Sequence, residues 1–107
     1  MNDDKKDDKN EHIINDIINF IFTNINYNFY FLYELEKIMY SNDEKYNDII
    51  RDYICLIYNK IKEFTYNENF NNCIEVYKKY VKYYLKLIFR ENKENGLQIG
   101  NIIMKNY

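Results

Sequence analysis

FNNCIEVYKKYVKYYLKLIFRENK, residues 70–93, is the stretch whose reading decides the fold of this chain. At about 100° of rotation per residue, Phe70, Ile74, Tyr77, Val81, Tyr84 and Ile88 fall on one helix face. Val76, Tyr80, Tyr83 and Leu87 carry the apolar surface toward the other side. The window left for water holds Lys78, Lys82, Lys86 and Arg90 at strict i, i+4 spacing, with Lys79 and Lys93 adjoining. The pattern predicts a helix over about 69–93, ending near Gly96 as a left-handed cap. Its apolar arc is wider than a two-sided core needs, which places the helix at the centre of a bundle or against a partner.

Upstream, two capping boxes mark boundaries: SNDE at Ser41–Glu44 and TYNE at Thr65–Glu68. The first is expected to open a helix over about 43–64, with Ile50, Ile54, Ile57, Ile61 and Phe64 on one stripe and Tyr46, Ile49 and Tyr53 beside it. The run Ile54–Tyr58 is apolar all round, so that turn is expected to be central. Ile14, Ile18, Ile21 and Ile25, widened by Ile13, Ile17 and Phe20, predict a helix over about 12–24. Residues 25–33 first alternate apolar and Asn, then turn wholly apolar. With no second strand to pair them, 29–40 reads as a helix with Leu32, Leu35 and Met39 inward. Residues 1–10 read as a charged, structureless tail, 11–96 as one helical domain, and 97–107 as a short C-terminal segment that adds a turn or lies across the bundle through Ile99, Ile102 and Ile103.

The composition narrows function mainly by exclusion. The chain has 107 residues, one domain's worth, with no alanine, proline or tryptophan and a surplus of Asn, Ile, Lys and Tyr, residue types with AT-rich codons. A net charge of −2 provides no global field for nucleic acid or anionic lipid, so such a partner would need a local patch. Cys55, Cys73 and the single His12 do not have the spacing of a zinc site, and an antiparallel turn near Asn67 would set the two cysteines about 9 Å apart along the helix axis. Both are expected as reduced core thiols. The acidic start has no apolar run of a signal peptide, and the longest uncharged stretch, 17–33, is interrupted by asparagines and short for a bilayer span. The expected compartment is the cytoplasm, with no transmembrane segment.

Enzymatic signatures are missing: no nucleotide-binding glycine loop, no GxSxG, no HExxH. His12 reads as a surface residue near a helix start. Glu34 and Glu36 point to different sides of a helix, and Asp43, Glu44, Glu91 and Glu94 suit helix ends better than acid–base work. The expectation is therefore a non-enzyme with no catalytic residue, cofactor or metal. The one constellation left is the ridge Lys78, Lys82, Lys86 and Arg90 with Tyr80 and Tyr83: either the solvated face of an amphipathic helix or a surface for a partner.

YVKYYLKLIFRENK, residues 80–93, resembles the second-helix signature of the mitochondrial LYR-motif proteins, small helical assembly adaptors. Leu56-Ile57-Tyr58-Asn59 stands where that family has Leu-Tyr-Arg, so its arginine is absent here. The resemblance implies a scaffold between an assembly partner and an acidic acyl carrier protein facing the basic ridge. From Asp43 through the last long helix, the layout is also similar to the immunity proteins of class IIa bacteriocins, which implies an antiparallel four-helix bundle that protects against a toxin. The fold expected from the residues is all-α, a compact antiparallel four-helix bundle with connections at 25–28, 41–43 and 65–68. The expected function is a small interaction or adaptor protein working through an aromatic-rich helix surface on a protein partner, by self-association or as a subunit of a larger assembly. The alternative is binding of nucleic acid or an anionic surface through the basic ridge.

Overall fold

The computed structural model describes residues 2–23 and 28–105, with side chains at 10–23, 32–69 and 72–104. Five helices follow in order: α1 (Asn2–Thr23), α2 (Asn28–Met39), α3 (Asp48–Thr65), α4 (Phe70–Glu91) and α5 (Lys93–Lys105). The fold is all-α, and the described residues contain no strand. The stretch 28–33, ambiguous in sequence, is helical; the connection at 25–27 and the last position of the first stripe, Ile25, lie outside the described residues.

The fifth helix is a correction to the four-helix expectation, and its cause is local. The chain does not run on to Gly96; it breaks at Asn92, whose backbone is extended at φ −158°, ψ 107°. The Asn92 Oδ1 accepts from the amides of Glu94 at 2.9 Å and Asn95 at 3.3 Å, two of the donors that the start of α5 leaves open. Gly96 then lies inside α5, and neither glycine has a positive φ, so the expected left-handed cap does not form. Gly96 serves close packing instead. A Cβ there would stand 2.6 Å from two ring carbons of Phe89, so only a residue without one lets α5 fold back against the end of α4. Gly100 repeats the device toward α1, where a Cβ would meet Ile17 Cδ1 at 3.0 Å.

The two capping boxes also fail to start helices. Ser41 Oγ accepts from the Asp43 amide at 3.0 Å and closes a turn, while α3 begins at Asp48 behind Asn47, whose Oδ1 accepts from the Ile50 amide at 2.9 Å. Arg51 explains the delay: its guanidinium donates to the carbonyls of Ser41 and Tyr46 and to the Asp48 carboxylate at 2.7 Å. A helix begun at 43 would tie up the Tyr46 carbonyl that Arg51 uses. Thr65 closes α3 rather than opening α4, its hydroxyl donating to the Ile61 carbonyl at 2.7 Å. At the other end of the chain, the backbone is helical from Asn2, where 1–10 was expected to lack structure. That charge run contains no proline, glycine or β-branched residue to stop a helix from extending outward.

α4 packs against α1, α3 and α5, and α2 lies on α3. The core is the convergence of the predicted stripes: Ile14, Ile17, Ile18 and Ile21 from α1, Ile50, Ile54, Ile57, Ile61 and Phe64 from α3, and Val81, Leu85, Ile88 and Phe89 from α4. Leu32 and Leu35 enter from α2, with Met39 at the edge. Phe64 sits at the junction, edge-on to Phe22 at 5.3 Å and tilted against Tyr77 at 5.4 Å. Ile99 and Ile103 of α5 are fully buried, so the C-terminal segment is part of the core and the boundary drawn at 96 falls inside a helix. α5 is also latched to the α2–α3 loop, through Asn47 Nδ2 donating to Asn95 Oδ1 at 3.3 Å and Gln98 Nε2 donating to the Lys45 carbonyl at 3.0 Å.

Gly96→Ala separates the two roles of that glycine. Helix propensity alone would stabilise the variant by about 1 kcal/mol. The clash with a buried ring costs about 1–3 kcal/mol. The expected result in urea denaturation is a net loss of stability, and a more stable variant would contradict the packing assignment. Asn47→Ala removes the α3 cap and the tie to Asn95, and is expected to cost about 1–2 kcal/mol by the same measurement.

Candidate functional site

The six candidate residues of α4 are divided between two faces. Lys78, Lys82 and Lys86 are half-buried along the edge that meets α1. Lys82 Nζ reaches Glu11 Oε1 of α1 at 2.8 Å, and Lys78 Nζ stands 3.9 Å from Glu75 Oε1. The hydrogen bond from Lys82, then its charge, then the charge of Lys86 hold the Glu11 carboxyl below its ordinary pKa. Lys82 thus spends its charge on α1, whereas Lys78 meets an acid of its own helix. Arg90, about 40° further round than Lys86, is exposed.

Tyr80 and Tyr83 face away from that edge, toward the side shared with α3. Exposed apolar and aromatic side chains gather there: Val76, Tyr80 and Tyr83 from α4, and Ile49 and Leu56 from α3, each between 40% and 59% accessible. Leu87 and Tyr53 are half-buried between them. Lys60 Nζ lies 4.4 Å over the Tyr80 ring and 3.2 Å from Glu63 Oε2, and that carboxylate raises the lysine's pKa. Tyr83 and Tyr84 pack tilted with ring centroids 6.0 Å apart. The Tyr53 hydroxyl is pushed up in pKa, first by burial, then by Glu91 and by Tyr83 beside it. These contacts place α3 and α4 antiparallel, with Phe64 opposite Tyr77, Lys60 opposite Tyr80, and Tyr53 beside Tyr83 and Glu91.

The face can bury apolar area and hold tyrosine rings in place. Among the described residues, no three His, Cys, Asp or Glu side chains converge as metal ligands would. His12 is exposed, 3.8 Å from Asp16, one turn along α1. Cys55 and Cys73 are unpaired and half-buried rather than in the core, each beside an asparagine amide, Asn59 at 3.7 Å and Asn67 at 3.8 Å. No described helix is long and apolar enough to cross a membrane.

The sequence reading named Tyr80 and Tyr83 but missed Ile49 and Leu56. Leu56 was expected in the most central turn of α3, and the structure turns it outward beside α4. A signal was available: Ile49, Tyr53, Leu56 and Lys60 follow one another at steps of four, three and four, a second stripe beside the core stripe. No family model matches the chain, and neither does any curated protein or solved structure.

The Lys82–Glu11 contact gives a pH-dependent observable. Because the carboxyl's folded pKa is depressed, its contribution to holding α1 on α4 is present above the ordinary carboxylate pKa and is lost as pH falls through the lowered value. In Lys82→Ala, the Glu11 carboxyl followed by NMR titration is expected to move upward, toward the ordinary range. An unchanged titration would show that the two groups are not coupled in solution.

Proposed function

We propose that this chain is a small protein-interaction module that binds its partner through the α3–α4 face centred on Leu56, Tyr80, Tyr83 and Leu87. The observation that carries the reading is the gathering of five exposed apolar and aromatic side chains on one side of the α3–α4 helix pair. Monomeric proteins rarely leave such a patch continuous. Tyrosine is favoured in recognition surfaces because its ring buries a large area with few rotatable bonds while its hydroxyl stays hydrated. Full burial of an exposed Val, Leu or Ile contributes about 1.5–3 kcal/mol, so a few anchors on this face can offset much of the cost of association. The contacts of Lys78 and Lys82 with acidic side chains make the basic ridge the weaker candidate.

Capture experiments with tagged wild type and Tyr83→Glu, in low and high salt, test the reading. The expected outcome is a protein retained by wild type in high salt and lost with the variant, both showing the same helical circular dichroism. Retention only in low salt, abolished by Lys78→Glu with Lys82→Glu and unaffected by Tyr83→Glu, would overturn it in favour of nucleic acid or an anionic surface.

A further inference from the structure

We infer that the occupant of the α3–α4 face is a second copy of the chain, docked about a two-fold axis that lies in the interface and runs along the two helices. The inference rests on the interaction reading above and adds the identity of the partner. Its basis is the arrangement of charge around the apolar centre. On α3, the outward rim carries the exposed acids Asp52 and Glu63, the second also holding Lys60. On α4, the outward rim carries the exposed bases Lys79 and Arg90. The antiparallel register that puts Phe64 opposite Tyr77 and Lys60 opposite Tyr80 sets Glu63 level with Lys79 and Asp52 level with Arg90.

An acidic edge and a basic edge, matched level by level, are complementary to each other across a two-fold axis. Rotation by half a turn about an axis parallel to the helices keeps every residue at its level and exchanges the two edges. Asp52 of one copy then meets Arg90 of the other, Glu63 meets Lys79, and Leu56 comes to rest near Leu87 and Tyr83. Each contact occurs twice, as in any isologous interface. A different rotation, with the axis across the helices, would set acid against acid and base against base. The dimensions suit a reversible dimer: in this register the helices run side by side for about 25 Å at about 1.5 Å per residue and pack about 10 Å apart. The face therefore offers on the order of 500 Å² per partner, the scale of a weak, reversible interface rather than of a permanent one. A net charge of −2 sets little long-range repulsion between copies.

Sedimentation velocity of the full chain over a wide concentration range tests the inference. Wild type is expected to pass from monomer to a species of twice the chain mass, and Leu56→Glu to weaken that association by about a hundredfold or more. Asp52→Lys, which sets like charges opposite each other twice per dimer, is expected to weaken it about tenfold. Asp52→Lys combined with Arg90→Glu is expected to recover most of that loss. A wild type monomeric at every concentration overturns the inference; if Tyr83→Glu still abolishes capture of a different protein, the interaction reading survives it. A dimer insensitive to Leu56→Glu and Asp52→Lys also overturns it, by placing self-association on another face.

Discussion

The seating of the Phe89 ring against Gly96 is the contact on which the rest of the arrangement depends. One extended residue, Asn92, separates α4 from α5, so α5 must turn back at once, and it can do so only if its first turns accept the end of α4 at close range. Once turned back, α5 delivers Ile99 and Ile103 to the core, brings Gly100 against Ile17 of α1, and reaches the α2–α3 loop through Asn95 and Gln98. α4 is then flanked by α1, α3 and α5, and a single side remains uncovered. The exposure of Val76, Tyr80 and Tyr83 follows from that geometry. The wide apolar arc of α4 is divided into a part that three neighbours cover and a part that none does.

Helix identity was legible because it depends on period alone. The stripes of α1, α3 and α4 recur at helical spacing over several turns, and the same residues occupy the core. Boundaries were less legible because they depend on which of several polar residues captures an open amide. Serine and threonine followed by glutamate look like helix starts, yet the side chains that capture open amides are asparagines, Asn47 before α3 and Asn92 before α5. Asparagine is so abundant in this chain that its capping positions do not stand out from the background of codon usage. Glycine was misread for a related reason. A glycine after a long helix suggests a left-handed stop, and no local pattern reveals that an aromatic ring seven residues earlier needs the space of a missing Cβ.

The candidate face was legible in part. A helical wheel gives the angular width of the apolar arc on α4 but does not say which neighbours cover which part of it. The lysine series was assigned to water because it is charged, whereas Lys78, Lys82 and Lys86 lie at the α1 edge, where long aliphatic stems can be buried while the ammonium groups meet Glu11 and Glu75. Ile49 was placed beside the core stripe and Leu56 in the central turn because α3 is strongly apolar, and the excess on one side merged into a single broad stripe. Knowledge of the neighbour, not of the helix, separates an apolar residue that builds the core from one that awaits a partner.

Amide hydrogen exchange along α5, measured on the full chain and compared with the centres of α3 and α4, tests the central claim most directly. If the Phe89–Gly96 contact makes α5 part of the core, the amides between Ile99 and Ile103 exchange only through global unfolding and match the most protected amides of α3 and α4. Fast exchange in α5 beside slow exchange in α3 and α4 would contradict the account, because an α5 that opens by itself cannot be what leaves α4 with one uncovered side.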